Sequence, residues 1–563
     1  MFKRNDPGGQ LDIFDNVYHQ VSPKIRAKLE DPKGWHNIFF RQVLCRISEP
    51  IFGVLFSAKK GRNNAPVNVL VAMMILKEGN NWTDEQLFDE VNSNIKVRLA
   101  LGINNWKEDV PCPSTYYNFR KRIVEYDEEH GTDLLGESFK QLAQYIAKAF
   151  SIKGSKVRMD SKLFSSNIAK STRLQLIVKS LRKWLRENGG EDVKDLSESS
   201  QQILARVAKY QAERFTFRMT KDEEKEWLVK FGLVIKEIVD RGKDSTGLLT
   251  RILAEQYNIV EKPPKDSEEA EAEQVEGEER LELKSREEID GKTLQSPYDP
   301  EATYRRKENG AIVQTVRGYT TNVTETCTPG NPFNIITSVQ TETATYSDDK
   351  FFQQAVETSR EVLDGEIEEV ITDGGYHSTE NVAYAEGGKD TDSFVFHTQA
   401  IPGPDGYFDY QWVGGKLKVT DKRTGKSYIA TKTDKGKYRI KISGQYRYIL
   451  PKTITNYFRR KEIEENKHYI TSTRANVEST IHQVFHTLNG KKSKYRGKKK
   501  NHFYAVLRSF WANFKRMAKY IENAPKEALD AALFALNIGI KWLLTLFRCW
   551  WRELRIQTGT FQN

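Results

Sequence analysis

Asp160, Asp373 and Glu478 stand in local settings that suit metal-assisted chemistry on a phosphodiester. Cutting or joining such a bond requires an activated attacking oxygen and relief of the charge that develops on the phosphate. Two Mg²⁺ ions roughly 3.5–4 Å apart supply both, and hard cations demand oxygen ligands. A carboxylate on a central strand, a second at the end of a neighbouring strand and a third on a flanking helix would form the cradle. Asp160, in KVRMDSKLF, follows the apolar pair Val157 and Met159, where a strand leaves the core. Asp373, in VITDGGYHS, closes a short strand, and the glycines after it let a backbone or a phosphate come close. Glu478, in STRANVESTIHQVFHTL, sits on a predicted helix that buries Val477, Ile481, Val484, Phe485 and Leu488. Arg474, one helical turn earlier, is a candidate phosphate clamp.

Each residue also has a plainer reading. Asp160 at a strand end suits a turn, Asp373 suits an Asp-Gly turn, and Arg474 with Glu478 makes an i, i+4 ion pair worth only tenths of a kcal/mol. A zinc site is a rival, since Glu478, His482 and His486 repeat every four residues. Its ends lie roughly 12 Å apart along a helix, so one ion could take only an adjacent pair. No HExxH motif and no cysteine pair completes the set.

Electrostatic patterning supports a polyanionic partner. The chain has 88 Lys and Arg against 77 Asp and Glu, a net charge of +11, and the excess is uneven. From Asn489 to Tyr520 there is no acidic residue. Lys491, Lys492, Lys494, Arg496, Lys498, Lys499, Lys500, Arg508, Lys515, Arg516 and Lys519 alternate there with Tyr495, Phe503, Tyr504, Phe510, Trp511 and Phe514. Basic groups neutralise phosphates and aromatic faces stack on unpaired bases, although some of these aromatics must be helix core.

The elements that position these groups fall into segments. With 563 residues, three or four domains are expected. Residues 1–150 read as a helical DNA-binding domain. They hold a helix around His36 to Cys45, one opening at Pro66, one opening at Thr83 and one after Pro113 with Ser114 as N-cap. That last helix displays Arg120, Lys121 and Arg122, which suits either a helix-turn-helix reader or the solvated face of a bundle. Residues 151–170 and 296–401 alternate strand and helix patterns and form an α/β core with a mixed sheet that carries the first two carboxylates. Residues 171–295 are a helical and acidic insertion, whose stretch from Lys265 to Asp290 is too polar to order itself, and so reads as a linker or solvated helix. Residues 402–455 are β-rich, with turn signals at Gly414–Gly415, Thr424–Gly425 and Lys435–Gly436 that suggest a meander. Residues 456–520 hold the third carboxylate and the basic segment. Residues 521–563 end in an apolar helix, which Asn537, Lys541 and Arg548 mark as buried or partner-facing rather than membrane-spanning. The four cysteines, Cys45, Cys112, Cys327 and Cys549, are scattered, which argues against disulfides and a zinc ribbon and for a reducing cytoplasm.

Taken together, these segments resemble the DDE transposases of bacterial insertion sequences that place a helical domain before an RNase H-like core. The resemblance runs through APVNVLVAMMILKEGNNWTDEQLFDEV, PSTYYNFRKRI, MDSK, SPYDPEATYRRK, RGYTTNV, TDGGYHS, RANVEST, YRGKKK and ANFKRM. It implies that Asp160, Asp373 and Glu478 form the acidic, metal-binding triad, with Mg²⁺ as cofactor and Mn²⁺ able to substitute. It further implies Arg474 beside the triad, Tyr376 after the second Asp, and double-stranded DNA contacts by Arg120, Lys121, Arg122, Tyr495, Arg496, Lys498, Lys499 and Lys500. The implied substrates are the terminal inverted repeats and a target DNA, bound by a homodimer in the bacterial cytoplasm at the nucleoid, with no membrane. A Tyr and a Lys that flank the Arg and Glu in one large subgroup are replaced by Thr471 and Phe485, so contacts assigned to them do not carry over. The alternative from another class is a catalytically decayed or co-opted DNA-binding protein. The presence of all three carboxylates argues against decay.

Overall fold

A computed structural model describes residues 2–5, 17–57, 63–261, 279–309, 312–387, 392–401, 403, 406–488 and 490–524. Its centre is a six-stranded mixed sheet. The strands are β1 (Lys156–Ser165), β2 (Thr303–Asn309), β3 (Ile312–Thr326), β4 (Ile336–Thr343), β5 (Glu369–Thr372) and β6 (Val395–Thr398). The long, Thr- and Val-rich β3 pairs antiparallel with β1, β2 and β4, while β5 lies parallel to β1 and β6 parallel to β5. The order is β2-β3-β1-β5-β6, with β4 also paired to β3, and these antiparallel strands extended by two parallel ones make an RNase H-like α/β fold. The parallel strands need crossovers, and Phe352–Leu363 and Thr379–Ala385 are the helices that provide them.

Alternation along β1 sends Val157 and Met159 to a face packed by Phe352, Val356, Val370 and Tyr376. The opposite face, through Phe164, Tyr319, Val323 and Ile336, joins a continuous core with the N-terminal helices and the last two helices. Five helices frame the sheet on this side: α1 (Val67–Asn80), α2 (Pro113–His130), α3 (Leu134–Ala149), α4 (Lys467–Phe485) and α5 (Lys498–Asn523). Helix α1 is buried nearly all round, as its unbroken VLVAMMIL run requires. Helix α5 packs against α1, α3, α4 and β4, and so ties the N-terminal helices to the sheet.

Local signals placed several boundaries well. Thr83 and Ser378 are N-caps, the first within a complete capping box. Three expectations need correction. Cys112, not Ser114, is the N-cap of α2, because Pro113 takes the first helical position. Strand β1 does not end at Asp160 but runs five residues further, with Ser161 to Ser165 paired to β3. Part of the acidic stretch is ordered, since Glu279–Leu283 pairs with Tyr257–Glu261 as a hairpin.

The insertion after β1 has its own helical core around Trp184, Leu204, Phe231 and Ile235. The second insertion forms two three-stranded antiparallel sheets over Phe408–Ile429 and Thr431–Ile449, with Tyr410, Leu417, Val419 and Ile440 inside. Among the described residues no helix is long and apolar enough to cross a membrane. The expected apolar C-terminal helix lies outside them.

Candidate active site

Asp160 sits mid-strand on β1, opposite Val323 of β3. Asp373 directly follows β5, the parallel neighbour of β1, and caps the turn after it by accepting from the Gly375 amide at 2.9 Å. Adjacent parallel strands therefore carry the first two carboxylates to one region. Helix α4 crosses the sheet beside β1 and β5 and brings the third. A buried network fixes that helix. Glu325 of β3, fully buried, pairs with Arg158 of β1 at 2.7 Å and with Arg516 of α5 at 2.8 Å, and accepts from the Thr480 hydroxyl of α4 at 2.6 Å. Arg158 also donates to the Thr473 carbonyl at 2.8 Å, next to Arg474.

All three carboxylates converge on Arg474. Its Nη2 lies 3.2 Å from Asp160 Oδ2 and 4.0 Å from Asp373 Oδ2, and its Nη1 lies 3.1 Å from Glu478 Oε1. The i, i+4 pair expected on the helix is present, but it is one arm of a larger assembly. Burial pushes the Asp160 carboxyl up to about 6, and the charges of Asp373 and Asp348 add to this while Arg474 opposes it.

Asp348, which sequence reasoning missed, is a fourth acid here. It follows β4, accepts from the Ser161 hydroxyl at 2.7 Å, and burial raises its own pKa. Gly375 makes room for it, because a Cβ there would stand 3.1 Å from both Asp348 Oδ2 and Asp373 Oδ1. The only sequence signal was the Asp-Asp-Lys after a Thr-rich strand, which reads as an ordinary helix start. Tyr376 is fully buried and donates to Asn322 Oδ1 of β3 at 2.7 Å, which pins the loop after Asp373.

The donor set suits a hard divalent cation. The ligand atoms are carboxylate oxygens, and two of them already flank a single cationic nitrogen of Arg474. As they stand around that guanidinium, no three His, Cys, Asp or Glu among the described residues are grouped closely enough to share one ion. The zinc alternative gains nothing from the geometry: the His482 and His486 rings stack 5.6 Å apart, and His486 faces the Arg508 guanidinium at 3.1 Å.

The basic candidates lie in two places. On α2, Arg120 pairs with Asp84 at 3.2 Å and covers Tyr116, Lys121 is exposed beside Glu125, and the Arg122 guanidinium lies 5.8 Å from the Phe56 ring. Around the start of α5, Arg496 donates to the Asn167 carbonyl at 2.8 Å, Lys498 pairs with Glu342 at 3.2 Å and Lys499 with Asp127 at 2.7 Å, while Lys500 is exposed. Tyr495 is partly buried, and its hydroxyl donates to Glu78 of α1. Arg508 is fully buried and spans two helix ends. It donates to the carbonyls of Glu78 and Gly79 on α1 and of Gln483 and Val484 on α4.

Residues 40–122 match the family described as Transposase domain (DUF772), and residues 288–514 match the Transposase DDE domain. Asp373, Glu478 and Arg474 fall inside the second match, whereas Asp160 precedes it across the helical insertion. No curated protein and no solved structure matches the chain.

Proposed function

The chain belongs to the DDE transposases of insertion sequences, and we propose that it cleaves DNA at transposon ends and transfers the freed strand into target DNA. The observation that carries this reading is the convergence of Asp160, Asp373 and Glu478, from two parallel strands and a crossing helix, on the Arg474 guanidinium. The family implies dependence on a divalent metal, and the oxygen-only donor set favours Mg²⁺ with Mn²⁺ as substitute.

Asp160, Asp373 and Glu478 are the residues that would hold the ions. Bound there, divalent cations activate the attacking oxygen and offset charge on the phosphate. Arg474, relieved of its carboxylates, is placed to bind a non-bridging phosphate oxygen and orient it. Asp348 holds the Ser161 hydroxyl and adds negative charge behind Asp160 and Asp373. Hydrolysis first frees a 3′-hydroxyl at the transposon end. That hydroxyl then attacks a target phosphodiester, one P–O bond forming as another breaks. No covalent bond between protein and DNA is needed. The DNA-binding residues in this reading are Arg120, Lys121, Arg122, Arg474, Tyr495, Arg496, Lys498, Lys499 and Lys500, acting in a homodimer.

The test is incubation of the purified chain with Mg²⁺ and a labelled fragment carrying the inverted repeat that flanks its gene. Cleavage at the repeat boundary, lost in Asp160→Asn while binding persists, is the expected result. Tight binding without cleavage in Mg²⁺ or Mn²⁺ would overturn the reading in favour of a DNA-binding protein without catalysis.

A further inference from the structure

Glu478, His482 and His486, the last being the C-cap of α4, follow one another at one-turn spacing, so the two histidines extend the line of the third carboxylate. Both line a cleft of about 840 Å³ between α4, α5 and the N-terminal helices. Three indoles, Trp35, Trp82 and Trp511, contribute to its walls together with Lys515 and Lys519 of α5.

The cleft is held by built features. Trp511 packs over Gly79, in the last turn of α1, where any Cβ would collide with the indole. The buried Arg508, which also lines the cleft, fixes the α1 and α4 ends through their carbonyls. Arg516 is paired with Glu325, which it shares with Arg158. Lys515 and Lys519, one turn apart and exposed, have no carboxylate partner among the described residues, and Lys515 Nζ lies 6.0 Å from the Trp511 ring centroid. Among the described residues, Glu522 is the one carboxylate in the wall.

We propose that this cleft receives an unpaired stretch of the DNA strand that passes through the carboxylate site, with bases on the indoles and phosphates on Lys515 and Lys519. The assignment rests on the transposase reading and names a strand-binding surface for it. Indole faces stack on any base once it is free of its partner, and paired cations follow the backbone. The competing occupant is the chain's own residues 525–563, which follow directly from Asn523 in the cleft wall. That segment carries Lys526, Lys541, Arg548, Arg552 and Arg555 against Glu527, Asp530 and Glu553, so it is net cationic. Charge complementarity favours the polyanion.

The experiment uses the full chain and a duplex with a single-stranded extension that contains 5-bromodeoxyuridine. The double variant Lys515→Glu, Lys519→Glu changes two exposed side chains and should fold normally. The expected result is at least a tenfold loss of affinity for the extended duplex and a salt slope flatter by about 1.4, two single-strand phosphate contacts. Affinity for a blunt duplex should change much less, and ultraviolet cross-links of the wild type should map to Trp35, Trp82 or Trp511. Unchanged affinity and slope, with cross-links elsewhere, would overturn the cleft assignment and leave the transposase reading standing. Failure of the wild type to bind either DNA would sink both.

Discussion

The Arg474 guanidinium lies 3.2 Å from Asp160, and the same group reaches Glu478 at 3.1 Å. One side chain thus links a strand carboxylate to a helix carboxylate 318 residues further along the chain, and it is itself mostly buried. It offsets the repulsion among the acids that surround it. Arg474→Ala should lower DNA cleavage by about 10²–10³-fold, the range for losing one preorganised donor to a developing charge. Arg474→Lys should recover only part, because a point charge cannot span two carboxylates. Single-turnover cleavage with saturating DNA checks this; full activity in Arg474→Ala would remove the residue from the site.

Asp160 gives a pH signature. Its folded pKa, about 6, stands above the ordinary unfolded value, so the native protein holds the proton more tightly. The associated stability is fully present below about pH 4 and is lost as pH rises through 6. Asp160→Asn removes that penalty. In chelator, its melting temperature should exceed that of the wild type near pH 7.5 and converge with it only below about pH 4. Parallel melting curves at every pH would contradict the assigned shift.

Asp348 should matter without being a primary ligand. It approaches Asp373 across Gly375 and holds the Ser161 hydroxyl at 2.7 Å. Asp348→Asn keeps the shape and removes the charge, and cleavage should fall by about 10–100-fold with a higher half-saturating metal concentration. Gly375→Ala, which crowds both acids, should act in the same direction. Metal titrations of cleavage rate distinguish these outcomes from a simple loss of folded protein.

Glu325 predicts a stability effect. It is completely buried between Arg158 and Arg516. Glu325→Ala leaves two guanidinium groups without their counter-charge and should cost about 3–5 kcal/mol. Since Thr480 of α4 also bonds Glu325, the third carboxylate should lose its position as the network opens. Denaturant unfolding, set beside activity below the transition, measures both.

On α5, charge reversal has position-dependent consequences. Lys500 is exposed, so Lys500→Glu should weaken DNA binding and flatten its salt slope by roughly 0.9. Lys498→Glu and Lys499→Glu place a carboxylate against Glu342 or Asp127, and should lower the melting temperature as well. A Lys500→Glu protein with an unchanged salt slope would exclude this residue from the DNA surface.

What the sequence by itself determined is short in range. The capping residues Thr83 and Ser378, the alternation around Val157 and Met159, and the Thr-rich run of β3 act through neighbours along the chain, so the amino-acid order shows them directly. Asp373 and Glu478 could be singled out as candidates from a double glycine and an amphipathic helix, which are local marks, whereas the strand end read at Asp160 proved to be the middle of β1. Tertiary structure decided what those side chains meet. Asp348 reads as a helix start until β4 places it beside β1, and Arg474 reads as a helix-surface ion pair until α4 crosses the sheet. Arg508 and Tyr495 belong to a basic, aromatic run by sequence, yet both turn inward to α1. Burial, counter-charge and carbonyl partners come from residues hundreds of positions away, and only the folded chain brings those together.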